Sequence, residues 1–387
     1  MRIAINAVSA TSGGARSYLL NLARVLPELE PHEYLLYIPA SAAAGLPRLP
    51  ENFRIVPSAA ARSGYAARLV WEQVLLPRQV RRWGADVLVC VGNFCPLRSK
   101  APVLLLSRNA LYFTPRYAQD LRERGHHGWI LRHHWMTRLA VESARAARLT
   151  ITPTAAMEQM VRSAAGAGRS RLRTIPFGFQ PWPGQNGCAA PPPAAGPFRF
   201  LIVSHYNYFR NFETVFRALA VLEREGRRVE LILSTRLEPG LRLGGYDTTR
   251  AWRLIRELGL ENSVSTVGDT PYDELPRLYG SAHAVICPSY AESFGHTVVE
   301  SMAMGRPVIA SDIPAHREVA GDAAVFFPAP DAQALAARCR ELMDDEPPRR
   351  ELLRSAGLAR AAQFSWRRHF ELLLAAAAEA ARGPRKP

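Results

Sequence analysis

Short apolar runs recur along this chain, and nearly every one leads into a stretch of helical periodicity. Ile3–Ala7, Tyr34–Ile38, Val87–Val91, Val103–Leu106 and Leu149–Thr152 are such runs in the first half. Phe198–Val203, Val229–Ser234, Ala284–Cys287 and Pro307–Ala310 continue the series in the second. A brief apolar run bounded by turn formers reads as a strand covered on both faces. Strands separated by helices pair in parallel, because a helical crossover returns the chain in the same direction. The fold class expected is therefore α/β, with parallel sheets covered by helices. At 387 residues the chain is long enough for two such domains.

The segment Pro181 to Pro197 supplies the boundary: Pro191-Pro192-Pro193-Ala194-Ala195-Gly196-Pro197 has no periodicity and reads as a linker over 181–197. It divides an alternating unit over 1–180 from a second that begins at 198 and runs to 366. An apolar content of 48% and a charged content of 21% suit a soluble globular protein. No apolar run reaches the roughly 18 residues of a membrane span. Met1-Arg2-Ile3-Ala4-Ile5-Asn6 reads as a first strand, not a signal peptide. Five scattered cysteines without a CxxC pair (Cys90, Cys95, Cys188, Cys287, Cys339) suggest neither a disulfide framework nor a zinc site. A reducing, cytoplasmic setting is expected.

Charge is unevenly distributed. Residues 1–196 hold 24 Lys+Arg against 10 Asp+Glu, and the remainder 25 against 24, so the first half carries +14 of the net +15. The partners this allows are nucleic acid, an anionic lipid surface or an anionic substrate. Two basic stretches combine arginines with aromatics. Arg62–Trp83 has Arg68, Arg78, Arg81 and Arg82 with Trp71 and Trp83; Arg122–Arg148 has Arg122, Arg124, Arg132 and Arg138 with Trp129, Leu131, Trp135, Met136 and Leu139. Such helices can lie on an anionic membrane, or Trp129, Trp135 and Leu139 can be core and the arginines merely solvated. No base-reading module accompanies the charge, and bulk charge alone gives only salt-sensitive, nonspecific nucleic-acid binding.

The chemistry concentrates at Glu292-Ser-Phe-Gly-His-Thr-Val-Val-Glu300. A buried strand enters it through Pro288-Ser289, and helical spacing (Val298, Val299, Met302, Ala303) follows Phe294-Gly295. Two glutamates thus bracket a strand–loop–helix junction, with Glu292 on the loop and Glu300 expected about two turns into the helix. Unsatisfied N–H groups and the positive dipole end at a helix start favour a phosphate or diphosphate. Gly295 permits close approach of the backbone. Carboxylates on either side can accept hydrogen bonds from sugar hydroxyls. Eight residues apart, two glutamates alone are usually just solvated side chains, so the surrounding pattern matters.

Pro288-Ser289, Glu292, Phe294-Gly295, Glu300, Ala303-Met304-Gly305 and Pro307-Val308 together resemble the signature of the retaining glycosyltransferases of family four. The resemblance implies the GT-B fold, two Rossmann-like domains with parallel sheets facing across a cleft. In that family the last helix, here about 367–387, packs back on the first domain. Glu292 then contacts the donor sugar, Glu300 holds the ribose, and the backbone of Phe294, Gly295, His296 and Thr297 receives the diphosphate. Thr11-Ser12-Gly13-Gly14 resembles the family's glycine-rich loop, which places Gly13 and Gly14 at the cleft, although Arg16 stands where glutamate is common. Thr152-Pro153-Thr154 and Ile175-Pro176-Phe177-Gly178-Phe179 resemble the motifs that close the first domain.

Three further departures are visible. The family's His-Asp pair is replaced by Ser107-Arg108-Asn109-Ala110, leaving Arg108 and Asn109 as acceptor-side candidates. Arg210 stands where the family has a diphosphate-gripping lysine, at the expected start of a helix running to Ala220. The arginine before it is replaced by Ser204 or His205, which makes His205 a donor-side candidate. Thr270 to Tyr272 fall where the family places the nucleotide base. The resemblance implies a retaining, metal-independent transferase with no cofactor, moving a sugar from a nucleotide-sugar to a glycan or polyprenyl-linked acceptor in cell-surface polysaccharide assembly. A soluble acceptor and a catalytically silent sugar-nucleotide-binding subunit are the alternatives. Epimerase and phosphorylase readings fit less well, since Lys100 and Lys386 are the only lysines and neither suits a pyridoxal cofactor.

Overall fold

The computed structural model describes residues 1–11, 13–61, 64–166, 171–182 and 196–382. Two compact units emerge. One comprises Met1–Gly178 together with the segment that starts at Ser365, and the other is Phe179–Phe364. Most of the expected linker, residues 183–195, lies outside the described residues, as do Ser12, Arg62, Cys188 and Lys386. The final helix is described over Trp366–Arg382.

The first unit is built on a seven-stranded parallel sheet: β1 (Arg2–Asn6), β2 (Glu33–Pro39), β3 (Phe53–Ser58), β4 (Val87–Cys90), β5 (Val103–Leu106), β6 (Leu149–Thr152) and β7 (Leu172–Thr174). Their spatial order is β3-β2-β1-β4-β5-β6-β7, so the winding reverses between β1 and β4. β4 and β5 are buried at every position, which is why they read as unbroken apolar runs. The expected loop at Gly13-Gly14 is instead the opening of the helix Gly13–Val25, with Gly13 at φ +52°. Glycine adopts this positive φ without the strain a side chain would bring.

The last helix belongs to this unit and packs on the helix Gly13–Val25 and on β4 and β5. Its first turn builds an aromatic cluster with Tyr18 and Phe177: the Tyr18 ring meets Trp366, His369 and Phe370 edge-on at 5.4–5.5 Å. The His369 Nδ1–H donates to Pro176 O (2.8 Å), leaving Nε2 to accept from the Tyr18 hydroxyl at 3.0 Å. Burial pushes the His369 pKa down to about 4 and the Tyr18 hydroxyl well up. Gly178 passes so close that a Cβ there would lie 2.1 Å from the Trp366 backbone nitrogen.

The second unit holds a six-stranded parallel sheet, β8 (Phe198–Ile202), β9 (Val229–Leu233), β12 (Val264–Thr266), β13 (Ala284–Cys287), β14 (Val308–Ser311) and β15 (Ala324–Phe327). A small antiparallel hairpin of β10 (Arg242–Leu243) and β11 (Tyr246–Asp247) stands apart from this sheet. The order β12-β9-β8-β13-β14-β15 again reverses, here between β8 and β13. In open parallel sheets such a reversal leaves a crevice beyond the carboxyl ends of the strands, where ligands bind. The loops leaving β8 and β13 carry Arg210 and Glu292.

Candidate functional site

Beyond β13 the chain runs through Pro288–Phe294 and enters the helix His296–Ala303 from Gly295, which holds φ +90° and ψ +61°. That left-handed turn starts the helix beside the carboxyl ends of β8 and β13, where Thr297 and Val298 line one cavity with Val203 and Cys287. Glu300 is the fifth residue of the helix, a little over one turn in rather than two. Its carboxyl accepts from the Tyr279 hydroxyl at 2.9 Å. Desolvation raises its pKa to about 7, against the lowering effects of that hydrogen bond and of Arg210.

Arg210 does not begin a helix. It ends a 3-10 turn, Tyr208–Arg210, and Asn211 at φ +55° then starts the helix Phe212–Arg224. The left-handed Asn211 is tolerated because its side chain is fully engaged: Nδ2 donates to Pro288 O (3.2 Å) and Oδ1 accepts from Thr214 Oγ1 (2.7 Å). The turn therefore projects Arg210 towards the β13 loop. There Nη1 donates to Glu292 Oε1 and to Ser289 Oγ (3.2 Å), and the guanidinium lies 4.9 Å from the Phe209 ring centre. Tyr290 N donates to Phe209 O at 3.0 Å, so the two loops are joined through backbone as well.

A small cavity of about 10 Å³ marks where these elements converge, lined by Ser204, Arg210, Ser289, Glu292, Thr297 and His316 among others. His316 is a residue that sequence reasoning missed. It sits under Gly295, where a Cβ would come within 3.1 Å of its ring. The Ser311 hydroxyl donates to Ser289 O, so His316 Nδ1 carries the proton and donates to Ser311 Oγ (2.9 Å) and O (3.1 Å). Burial lowers its pKa, so the ring is neutral and its Nε2 is an acceptor at the floor of the cavity.

The remaining donor-side candidates divide. The Thr297 hydroxyl donates to Val203 O (3.3 Å), tying the helix start to the end of β8. The Phe294 side chain is 1% exposed and packs edge-on against Phe364 and His296, so only its backbone can meet a ligand. His205 is exposed, with Nδ1 3.5 Å from Asp269 Oδ1 and away from the cavity lining. Tyr272 packs against Trp182 and accepts its indole N–H at the backbone carbonyl (3.0 Å). Among the described residues no three His, Cys, Asp or Glu side chains come together as a metal cluster.

In the first unit, Gly13 and Gly14 follow β1 and Arg108 and Asn109 follow β5. The Arg108 guanidinium turns into the aromatic cluster, 5.6 Å from the Tyr18 ring centre and 5.9 Å from Phe177, and burial pulls its pKa down to about 10. Asn93, at φ +59°, is a further residue the sequence did not single out. Its Oδ1 accepts from both Arg108 N (2.7 Å) and Asn109 N (2.9 Å), fixing that loop beyond the sheet.

Comparison with known proteins agrees with this architecture. Residues 190–358 match the family described as "Glycosyl transferases group 1", and residues 12–181 match "Glycosyltransferase Family 4". Among curated relatives, an O-antigen chain mannosyltransferase B of Escherichia coli is 34% identical over 158 residues, covering 41% of this chain and 39% of that protein. A glycogen synthase of Mycobacterium tuberculosis is 27% identical over 272 residues, covering 68% and 62%. The chain thus spans about two fifths and three fifths of these relatives. Among solved structures, a sucrose-phosphate synthase from Thermosynechococcus elongatus superposes with a TM-score of 0.75 at 19% identity, covering 97% of this chain and all of that one. A glycosyltransferase from Rickettsia africae gives 0.68 at 15% identity, covering 99% of each chain. The fold is GT-B, with one Rossmann-like domain in each unit.

Proposed function

Because the chain belongs to the group 1 glycosyltransferases, we propose that it transfers a sugar, with retention, from a nucleotide-sugar to a glycan or polyprenyl-linked acceptor. The observation that carries this is the convergence of Arg210, Glu292, Gly295 and Thr297 where the second sheet reverses its winding. Departure of a nucleoside diphosphate builds negative charge on phosphate. Groups already aimed at that position lower the barrier more than groups that must reorient.

In this reading the diphosphate lies over the first turn of the helix His296–Ala303, and Arg210 supplies the cation. Glu300, held by Tyr279, receives the ribose hydroxyls, and Glu292 orients both the donor sugar and the Arg210 fork. Because protein groups do the electrostatic work, no divalent metal is assigned. No carboxylate is assigned as a covalent nucleophile. Front-face attack of the acceptor, with the leaving phosphate taking its proton, fits the arrangement. Gly13, Gly14, Arg108 and Asn109 are assigned to the acceptor side, with Asn93 positioning the last two.

The name of the O-antigen mannosyltransferase relative supports a role in cell-surface polysaccharide assembly. The +14 charge of residues 1–196 supports work at an anionic membrane face. No described helix is long and apolar enough to cross a membrane, so the association proposed is peripheral.

The test is thermal unfolding of the purified protein against a panel of nucleoside diphosphates and nucleotide-sugars, with EDTA present. Binding to the folded state raises Tm by mass action. A rise with one nucleotide family names the donor and supports metal-free binding. No rise with any of them would reject the donor-site assignment.

A further inference from the structure

A larger cavity lies away from the site above. It has a volume of about 500 Å³, lies in the first unit, and is lined by Arg78, Arg81, Arg98, Lys100 and Arg148, with no carboxylate among the described residues of its walls. The side chains of Arg78, Arg81, Arg98 and Lys100 make no hydrogen bond or ion pair among the described residues. These four exposed cations around one concavity raise the local positive potential, which favours an anion there.

Arg78, Arg81, Arg98 and Lys100 are exposed side chains, but the backbone that carries them is fixed. Arg78 and Arg81 stand on the helix Leu76–Trp83. Arg98 and Lys100 stand on a loop that Gln73 clamps from both sides: its Nε2 donates to Cys95 O (2.9 Å) and its Oε1 accepts from Leu97 N (2.9 Å). Cys95 N donates to Ser143 Oγ (3.2 Å), and Ser99 Oγ donates to Ala101 O (2.8 Å), so both ends of the loop are fixed.

Its position separates it from the acceptor side. The walls include Val103, the first residue of β5, and Arg148, just before β6. Arg108 and Asn109 follow the opposite, carboxyl end of β5. Substrate crevices of open parallel sheets lie at the carboxyl ends, and this cavity lies at the amino ends.

The lining also defines the ligand. Guanidinium forks suit phosphate oxygens. Among the described residues no aromatic ring lines the cavity to stack a base. Its other walls are aliphatic, and Leu97 at its edge is 42% exposed. Val74 and Leu75, in the turn just before the helix that carries Arg78, are 40% and 46% exposed. A phosphate-binding hollow beside uncovered aliphatic side chains matches a phospholipid, with its headgroup in the hollow and its glycerol and acyl region against the leucines and valine.

We propose that this cavity binds the headgroup phosphate of an anionic phospholipid and so seats the first unit on a membrane surface. The proposal deepens the membrane-face reading above. Its test needs neither donor nor acceptor, so failure of the transferase assignment leaves it standing.

The experiment is co-sedimentation of the full chain with phosphatidylglycerol/phosphatidylcholine vesicles and with phosphatidylcholine alone. The triple variant Arg78→Ala/Arg98→Ala/Lys100→Ala is compared with Arg24→Ala/Arg48→Ala/Arg54→Ala, which removes the same charge from exposed positions elsewhere in the unit. Three surface cations lost from a membrane contact weaken binding roughly 100-fold. The expected result is that loss in the cavity variant on anionic vesicles, near-wild-type binding in the charge control, and an unchanged Tm for both. Leu97→Ser, which keeps every charge, is expected to weaken vesicle binding as well. Equal loss in both triple variants, or binding intact in the cavity variant, overturns the proposal. Stabilisation by inorganic phosphate without any vesicle binding assigns the cavity to a free phosphate compound and overturns the lipid assignment.

Discussion

Arg210 and Glu292, 82 residues apart in sequence, are joined as an ion pair at the mouth of the winding reversal in the second unit. Side-chain exposures of 27% and 13% leave the pair partly shielded from water. Removing one member of a shielded pair strands the other's charge, so the two substitutions have different consequences.

Glu292→Ala leaves Arg210 uncompensated and free to take a phosphate. Turnover is expected to fall roughly 100-fold or more, the range for losing one preorganised electrostatic group. Nucleoside diphosphate affinity is expected to hold or improve. Steady-state rates beside calorimetric titration of the product nucleotide separate the two; wild-type turnover in this variant would remove Glu292 from the site. Arg210→Lys keeps the charge but not the fork, and is expected to weaken diphosphate binding.

Glu300 gives the donor site a pH dependence. Its folded pKa of about 7 lies above the ordinary carboxyl value, so its contribution to stability is present below the unfolded pKa and lost as pH rises through about 7. The ionised form is the better acceptor for ribose hydroxyls. Nucleotide-sugar affinity is therefore expected to rise between pH 6 and 8 while the stability of the empty protein falls. Glu300→Gln is expected to flatten both curves, measured by titration and by Tm across that range.

His369 acts with the opposite sign. Its folded pKa of about 4 lies below the free-imidazole value, so the unfolded chain binds the proton first and stability declines as pH falls from about 6.5 towards 4. The shift corresponds to roughly 3 kcal/mol over that window. Urea unfolding at pH 7.5 and 5 is expected to show the loss in the wild type and much less of it in His369→Gln. An equal pH slope in the two proteins would show that other groups dominate.

Gly295→Ala tests the junction itself. A methyl group there must hold φ +90° and sits 3.1 Å from the His316 ring. The left-handed backbone alone costs roughly 1–2 kcal/mol. Chemical denaturation is expected to show at least that loss, and adding His316→Ala is expected to recover only the steric part.

Much of this fold is legible in the sequence because fully buried parallel strands are written as apolar runs. β5 and β6 begin and end where those runs do. β3 escapes because Arg54 and Pro57 interrupt it at the sheet edge, where an unpaired side tolerates both. β7 escapes because three half-buried residues make no pattern. At the site, the glutamates and Gly295 are readable from their local order. His316 and Asn93 are not, since each matters through what the fold brings to it: a glycine 21 residues earlier in one case, the backbone of Arg108 and Asn109 in the other. Arg210 is readable as a cation but not as a 3-10 residue, because the left-handed Asn211 that redirects it is stabilised by Pro288 and Thr214.

The segment that starts at Ser365 closes over Tyr18 and Phe177 in the first unit. On a ribosome the first unit is therefore begun before the second and finished after it. Until Trp366 and Phe370 arrive, Tyr18 on the helix Gly13–Val25 has Phe177 beside it but lacks their rings, while every described strand of the second unit has already been made. A stop between Ser365 and Phe370 would thus leave the unit Phe179–Phe364 whole and the aromatic cluster of the first unit unfinished.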